Sequence, residues 1–446
     1  MSNNRRRFIK NSLKGAAAVS IASALPSFTA KSYASIIGAN ERIRVGMMGV
    51  NSRGLALANN FARQKNAQVI SVSDVDTRAA EKCIGEVEKI QKSRALAIPD
   101  FRKALEQKDM DALVIAAPDH WHAPAAILAS KAGKHVYLEK PCSHNPHEGE
   151  LLVKVQTKYK NVIQMGNQRR SWPNVANAIA ELHGGIIGRA YFAKTWYTNN
   201  RPSIGTGTQT AVPSWLNYDL WQGPAPRQAY KNNLIHYNWH WFWNWGTGEA
   251  LNNGVHMIDL ARWGLNVEFP TRVTSAGGRY RYKDDWQTPD TQVISLEFNN
   301  NSTIAWEGRS CNSHTIENAG VGVMFYGEEG SMIIDGNGYT VYNADNKIIK
   351  EIKDTEIVDV HNLSSPADQL DAIHIQDFFS GISKGTPIRA NIAEGHKSTL
   401  LCQLGNIALR SGNALKTDPA NGHIIGDPVA QEFWKRQYEP GWEPVI

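Results

Sequence analysis

Two short stretches carry the residues best suited to chemistry. Glu139-Lys140-Pro141 closes an apolar run, and far downstream lies Asn252-Asn253-Gly254-Val255-His256-Met257-Ile258-Asp259. A lysine just after a strand and a histidine on a helix suit proton transfer. Imidazole titrates near neutral pH, and an ammonium steadies negative charge growing on oxygen. Asn252 stands four residues before His256. Its amide can orient a hydroxyl but cannot accept a proton at neutral pH. His240 is a second candidate acid or base. The four cysteines, Cys83, Cys142, Cys311 and Cys402, show no CxxC and no metal-like spacing with histidine, so no metal site is expected.

The elements that must position these residues begin with Ile43-Arg44-Val45-Gly46-Met47-Met48-Gly49, an apolar strand ending in glycine. Gly49-Val50-Asn51-Ser52-Arg53-Gly54 then opens a helical pattern, giving GxNxxG where a dinucleotide fingerprint has GxGxxG. Gly49 permits the tight turn, Gly54 lets helix and strand pack closely, and Asn51 tolerates left-handed geometry better than most residues. A second strand, Val69–Ser73, leads to Asp74, 20 residues after Gly54. That is the distance at which an acid meets the adenosine ribose hydroxyls. An acid there favours NAD, while Arg53 and Arg78 keep NADP open. Ala112–Pro118 and Lys134–Pro141 continue the alternation, with Asp119-His120-Trp121-His122 and a helix from Ala123 between them. Strand–helix alternation predicts a doubly wound parallel sheet whose ligands lie beyond the carboxyl ends of its strands.

The formal net charge of +6 is misleading, because Arg5, Arg6, Arg7, Lys10, Lys14 and Lys31 all lie in residues 1–34, which hold no acid. The remainder is near neutral and has no basic arm for nucleic acid. Asn4-Arg5-Arg6-Arg7-Phe8-Ile9-Lys10 resembles a twin-arginine export motif. The alanine-rich run after it is too short to span a bilayer, and Ser32-Tyr33-Ala34 has the small-x-small form of a cleavage site. The expectation is a signal peptide over 1–34, transport by the twin-arginine machinery, a periplasmic protein and no membrane span after processing. That route carries folded proteins, so a cofactor would be bound tightly before export.

The Gly-rich turn, Ala117-Pro118-Asp119-His120-Trp121-His122, Glu139-Lys140-Pro141 and the Gly-x-His-x-x-Asp motif together resemble the glucose–fructose oxidoreductase / inositol dehydrogenase (Gfo/Idh/MocA) family, over residues 41 to 440. The resemblance implies a Rossmann domain over 41–160. It also implies a C-terminal α/β domain over 161–440, with a large, mostly antiparallel open sheet used for substrate binding and oligomerisation. It implies tightly bound NAD(P), a sugar-like substrate and a homodimer or homotetramer. By the same resemblance Lys140 bonds the reacting hydroxyl and approaches the nicotinamide ribose, and His256 takes the hydroxyl proton. Gly49, Asn51, Ser52, Arg53, Gly54, Asp74, Pro118, His122, Glu139 and Lys140 hold the cofactor. Many members carry aspartate at the position of Asn252, so a carboxylate–histidine relay is in question here.

After Lys140, Asn161–Met165 reads as a strand running into a polar loop, where Gln168 and Arg169 lie near the substrate by family analogy. Residues 199–247 form a long irregular insertion. Long loops in compact domains are usually functional or disordered. Trp239, Trp241, Trp243 and Trp245 alternate, and on an extended segment they would share one face. With His240 and Asp259 they are candidates for holding a sugar ring, an aromatic core or oligomer seam being the alternative. Residues 271–352 alternate as antiparallel strands, and His374–Phe379 and 394–411 read as helices packing back on this domain. Three functions compete: an oxidoreductase acting on a sugar, glycoside or cyclitol; a glycoside hydrolase using transient oxidation by bound NAD; and a carbohydrate-binding protein without catalysis.

Overall fold

The computed structural model describes residues 42–336, 338–353 and 368–446. The expected signal segment, 1–34, lies outside the described residues. Strands Ile43–Met48 (β1), Ala67–Ser73 (β2), Leu96–Ala97 (β3), Ala112–Ile115 (β4), His135–Leu138 (β5) and Ile163–Met165 (β6) form a six-stranded sheet. Its order is β3-β2-β1-β4-β5-β6, and every pairing is parallel. β1 and β4 are almost continuously buried because helices cover both faces. Val45, Met47 and Val114 pack with Phe61 and Ile84 of one helical layer, and Leu113 and Ile115 with Ile127 and Leu152 of the other. Strand order reverses between β1 and β4, which opens a crevice at their carboxyl ends.

Two expectations shift here. The helix after β4 starts at Asp119 rather than Ala123, so Asp119-His120-Trp121-His122 is its first turn, entered from Pro118. Pro124 inside that helix has no N–H for the His120 carbonyl. Arg436 Nη2 takes that oxygen instead, at 2.7 Å. The strand near 161–165 belongs to the first sheet, paired with β5, so the parallel sheet runs past residue 160.

The second sheet contains Ala190–Thr198 (β7), Arg272–Gly278 (β8), Thr291–Phe298 (β9), Ser302–Arg309 (β10), Val321–Gly327 (β11), Gly330–Ile334 (β12), Tyr339–Asn343 (β13), Ile348–Ile352 (β14) and Leu415–Lys416 (β15). The order is β14-β13-β12-β11-β7-β10-β9-β8-β15. β7 and β10 pair parallel, and the other pairings are antiparallel. β9 and β10 alternate strictly between buried and more open residues, as a sheet covered on one face requires. Ile294, Leu296, Ile304 and Trp306 meet Leu260, Leu401 and Leu404 in its core.

The helix expected at 374–379 spans Asp368–Lys384, but it packs on the first sheet rather than the second. Ile375, Phe378 and Phe379 follow helical spacing. Phe379 meets the edge of Phe61 at 5.7 Å, and Phe378 that of Tyr137 at 5.9 Å. The chain therefore returns to its dinucleotide-type sheet after completing the second one.

Candidate functional site

One cleft lies beyond the carboxyl ends of β1, β2, β4 and β5 and encloses about 1230 Å³ free of protein atoms, open mouth included. Gly49, Asn51, Ser52, Arg53, Asp74, Pro118, His122, Glu139, Lys140, Trp239, His240 and Asn252 all line it. The glycines make a cradle that side chains would fill. A Cβ on Gly49, at φ +77°, would come within 2.6 Å of Ala117 N, and one on Gly54 within 1.8 Å of Gly49 O. The helix Arg53–Arg63 has no side-chain cap at its start. Its free N–H groups suit an anionic group such as a pyrophosphate. Asp74 accepts from Val50 N (2.6 Å) and Asp76 N (2.9 Å), one bond to each oxygen, so lone pairs remain for hydroxyls. Burial raises the Asp74 carboxyl despite these bonds. The cradle fits a dinucleotide. The arginines that would suit a 2′-phosphate are engaged: Arg78 pairs with Asp76 at 2.8 Å, and Arg53 with Glu139 at 2.8 Å and Asp371 at 2.6 Å.

Arg53 ties the cradle to the chemistry. Burial alone would lower its pKa, but Glu139 and Asp371 outweigh it and hold the guanidinium firmly protonated. Burial would likewise raise Glu139, but Arg53 and Lys140 pull it below the usual carboxylate range. Glu139 also accepts from Gln168 Nε2 at 3.2 Å. His122 bridges the Ala117 carbonyl (2.7 Å) and the Pro141 carbonyl (2.5 Å), bracing the turn in which the Lys140–Pro141 peptide is cis.

Lys140 Nζ donates to Asn252 O at 2.6 Å and to Asn252 Oδ1 at 3.0 Å. Asn252 Nδ2 donates to Glu249 Oε1 at 3.2 Å. An ammonium can only donate and a carboxylate only accept, which dictates how the amide points. Glu249, 3% exposed, also accepts from Arg201 Nε (2.9 Å), Ser310 Oγ (3.0 Å) and Asn253 Nδ2. A buried carboxylate therefore stands just behind Asn252. Burial lowers the Lys140 pKa, opposed by Glu139, Asp119 and Glu249. Asn252 sits in a single π turn, Ala250–Gly254, that runs into the helix Val255–Gly264. A Cβ on Gly254 would press on the Trp306 ring at 2.8 Å, so glycine lets this turn seat against β10.

His256 is buried next to the cleft rather than on its lining, and its Nε2 has no partner among the described residues. Burial first, then the charges of Lys140, Arg169 and Arg53, push its pKa well below the usual histidine value, so the imidazole is neutral at pH 7. Arg169 donates to the Gly336 carbonyl, and burial brings its pKa down to about 10. Asp259 is 1% exposed and bound to Arg170 (2.8 and 2.9 Å) and Ser398 (2.5 Å), away from the cleft lining. Its carboxylate braces the helix instead of reaching a ligand.

The tryptophans do not share a face. Asn238–Trp241 is a 3-10 turn, not an extended segment, and it sends them to separate places. Trp239 stacks on His240 at 3.6 Å, both lining the cleft, whereas Trp241 stacks on Trp286 at 3.9 Å in a core. Trp243 lies against Arg410, and Trp245 packs on Trp221. Burial pushes His240 well below the usual histidine range. The sequence reading missed Glu249, Asp371, Arg201 and Tyr237. Tyr237 lines the cleft, and its hydroxyl accepts from Arg201 at 2.8 Å. Only Tyr237 had a local signal, its place in the aromatic segment.

The chain matches the family model described as oxidoreductase family, NAD-binding Rossmann fold, over residues 43–167. It matches the model for the oxidoreductase family C-terminal alpha/beta domain over residues 196–443. It is 31% identical over 180 residues to glycosyl hydrolase family 109 protein 2 of Shewanella sp. (strain ANA-3), covering 37% of this chain and 39% of that protein. To inositol 2-dehydrogenase of Rubrobacter xylanophilus it is 29% identical over 185 residues, covering 41% and 52%. The chain thus spans about two fifths to one half of the length of these curated relatives. Its fold is similar to that of levoglucosan dehydrogenase in complex with NADH and levoglucosan (TM-score 0.65, 18% identity, covering 84% of this chain and 99% of that chain). It is also similar to that of an oxidoreductase domain protein from Kribbella flavida (TM-score 0.66, 18% identity, covering 84% and 99%).

Proposed function

The chain belongs to the Gfo/Idh/MocA oxidoreductase family, and from that premise we propose that it moves a hydride between a hydroxyl-bearing carbon of a sugar, glycoside or cyclitol and a tightly held nicotinamide dinucleotide, NAD in preference to NADP. The observation that carries the reading is the Lys140–Asn252 contact in the dinucleotide-type cleft, with the Nε2 of neutral His256, unpartnered among the described residues, four residues along the same helical run. The nicotinamide, when bound, supplies the hydride acceptor. His256 takes the hydroxyl proton, and Lys140 bonds the same oxygen and stabilises the charge left on it. Asn252 orients the ammonium without competing for the proton, and Glu139, Asp119 and Glu249 together oppose the burial that lowers its pKa. Gly49, Asn51, Ser52 and Gly54 suit the pyrophosphate and Asp74 the ribose, while Trp239 and His240 offer a stacked ring face to the substrate.

Denaturing the purified protein and weighing the released nucleotide tests the cofactor, with NAD expected. Adding a panel of sugars to the intact protein tests the reaction, with a reduced-nicotinamide absorbance band expected for at least one. A bound cofactor whose redox state no carbohydrate changes would sink the proposal. Similarity to the Shewanella glycosyl hydrolase favours a second reading, net cleavage of a glycosidic bond at the same site. Chromogenic glycosides separate the two, since aglycone release without net change in nicotinamide absorbance fits only hydrolysis. The twin-arginine motif supports export of the folded, cofactor-loaded protein to the periplasm, and the open sheet supports assembly as a dimer or tetramer.

A further inference from the structure

The long insertion at 199–247 lies against both sides of the cleft. Its residues Leu220, Trp221, His236, Tyr237, Trp239 and His240 line the same space as Gly49, Asp74 and Lys140. On the β4 side, Trp245 O accepts from His120 N at 3.1 Å, and Trp221 O meets His120 Nε2 at 2.9 Å and Trp121 Nε1 at 3.0 Å. His120, Trp121 and Trp221 are all buried. Gly223 turns so closely on Trp121 that a Cβ there would stand 2.0 Å from the ring. On the β2 side, Asn217 N donates to Val75 O at 2.9 Å and Thr77 N to Trp215 O at 3.1 Å, pairing the insertion with the turn after β2. His236 Nε2 donates to Asp76 Oδ2 at 2.7 Å. Trp215 stacks on His236 at 5.9 Å and carries the Arg78 guanidinium 3.5 Å from its ring. Arg78 closes the cluster by pairing with Asp76 at 2.8 Å.

The two fastenings differ in strength. The β4 side is enclosed among buried aromatic rings. The β2 side depends on partly exposed groups, the Arg78 side chain being 57% and that of His236 26% exposed. Local opening begins where backbone bonds and ion pairs meet solvent and few apolar contacts hold them. Between the fastenings, Leu216, Tyr218, Trp221, Leu234, Phe242 and Trp245 form their own apolar cluster, so the insertion behaves as one stiff body. The weaker side also adjoins the ribose acid, because Asp76 N donates to Asp74 Oδ1 at 2.9 Å. We propose that residues 215–245 form a strap over the bound dinucleotide, latched by His236 and Trp215 onto Asp76 and Arg78, and that nucleotide exchange requires this latch to open while the β4 side stays fastened. The proposal rests on the reading of the cleft as a dinucleotide site. It assigns retention of the nucleotide to the insertion as well as to the glycine cradle.

The test uses the full chain with its bound nucleotide. The protein is mixed with excess isotopically labelled NAD, and the bound nucleotide is weighed by mass spectrometry over time. Label should enter about tenfold faster in His236→Ala and in Trp215→Ala than in the wild type. Exchange at the wild-type rate in either variant, once shown to be folded, would overturn the strap. Two measurements need no variant. A crystal structure of the wild-type protein with its nucleotide should show the nucleotide between the glycine cradle and residues 215–245, and a nucleotide left uncovered by that segment would refute the proposal. Hydrogen exchange on the same protein should release the Thr77 and Asn217 amides before that of His120, and the reverse order would place the opening on the wrong side. Protein that holds no nucleotide and takes up no labelled NAD would sink the dinucleotide reading and the strap together. Nucleotide that is held but exchanges regardless of the latch would sink the strap alone.

Discussion

Asn252 gains its meaning from Glu249. An aspartate at 252 would pair with Lys140 but set a second carboxylate about 3 Å from Glu249 in a buried site, the arrangement in which like charges cannot both ionise. Asn252→Asp is therefore expected to lower kcat/KM and destabilise the fold by about 1–3 kcal/mol. Adding Glu249→Gln should recover much of both losses, measured by initial rates and thermal melts. If Asn252→Asp alone were faster than wild type, Glu249 would not be the charge that the amide accommodates.

The pH profile follows from the same residues. His256 must be neutral to accept a proton, and burial lowers its pKa, so the acid limb of kcat/KM should fall well below the ordinary histidine value. Lys140 must be charged, and its pKa is also lowered, so the alkaline limb should come before that of an ordinary lysine. Initial rates across the pH range check both signs. An acid limb at the free-histidine value would remove His256 from the role of base. His256→Ala should cost about 10²–10⁴-fold in kcat.

At the scale of elements, the turn between β1 and its helix is the least forgiving part. Gly54→Ala would drive a Cβ into the Gly49 carbonyl, backbone against backbone, so nothing flexible can yield. The expected result is a loss of about 1–3 kcal/mol and release of the nucleotide during purification. The protein-bound absorbance ratio reads that directly, and a variant that retained full nucleotide would count against the cradle. The aromatic segment teaches the converse lesson. Alternating tryptophans read as one face only if the backbone is extended, and with a 3-10 turn at Asn238–Trp241 they go to the cleft, to two buried cores and against Arg410.

Across the whole molecule, Arg53 links three distant parts of the chain: the dinucleotide turn, the Glu139-Lys140-Pro141 stretch and Asp371 on the returning helix. Asp371 is fully buried. Asp371→Ala would leave a buried guanidinium half compensated, and breaking such a pair costs about 3–5 kcal/mol. A melting temperature close to wild type would contradict this account. A fall in melting temperature together with nucleotide loss would tie cofactor retention to that helix.

The strand–helix alternation of the first half, the Gly49–Gly54 turn, Asp74 and the place of Lys140 just after a strand were legible in the sequence alone. Each depends on local chemistry: a glycine that a turn demands, an acid at the end of a strand, an apolar run of a given period. The partners of those residues were not legible. Asp371 across from Arg53 and Lys140 against Asn252 join segments far apart in the chain, and Glu249, only three residues before Asn252, is fixed by Arg201 and Ser310 from other segments. Asp259 looked like part of a motif and proved to be the counter-ion of Arg170. Local propensity can specify a turn or a strand end, but which buried charge meets which is decided when the sheets and helices pack. There desolvation makes an unpaired group expensive and each partner matter.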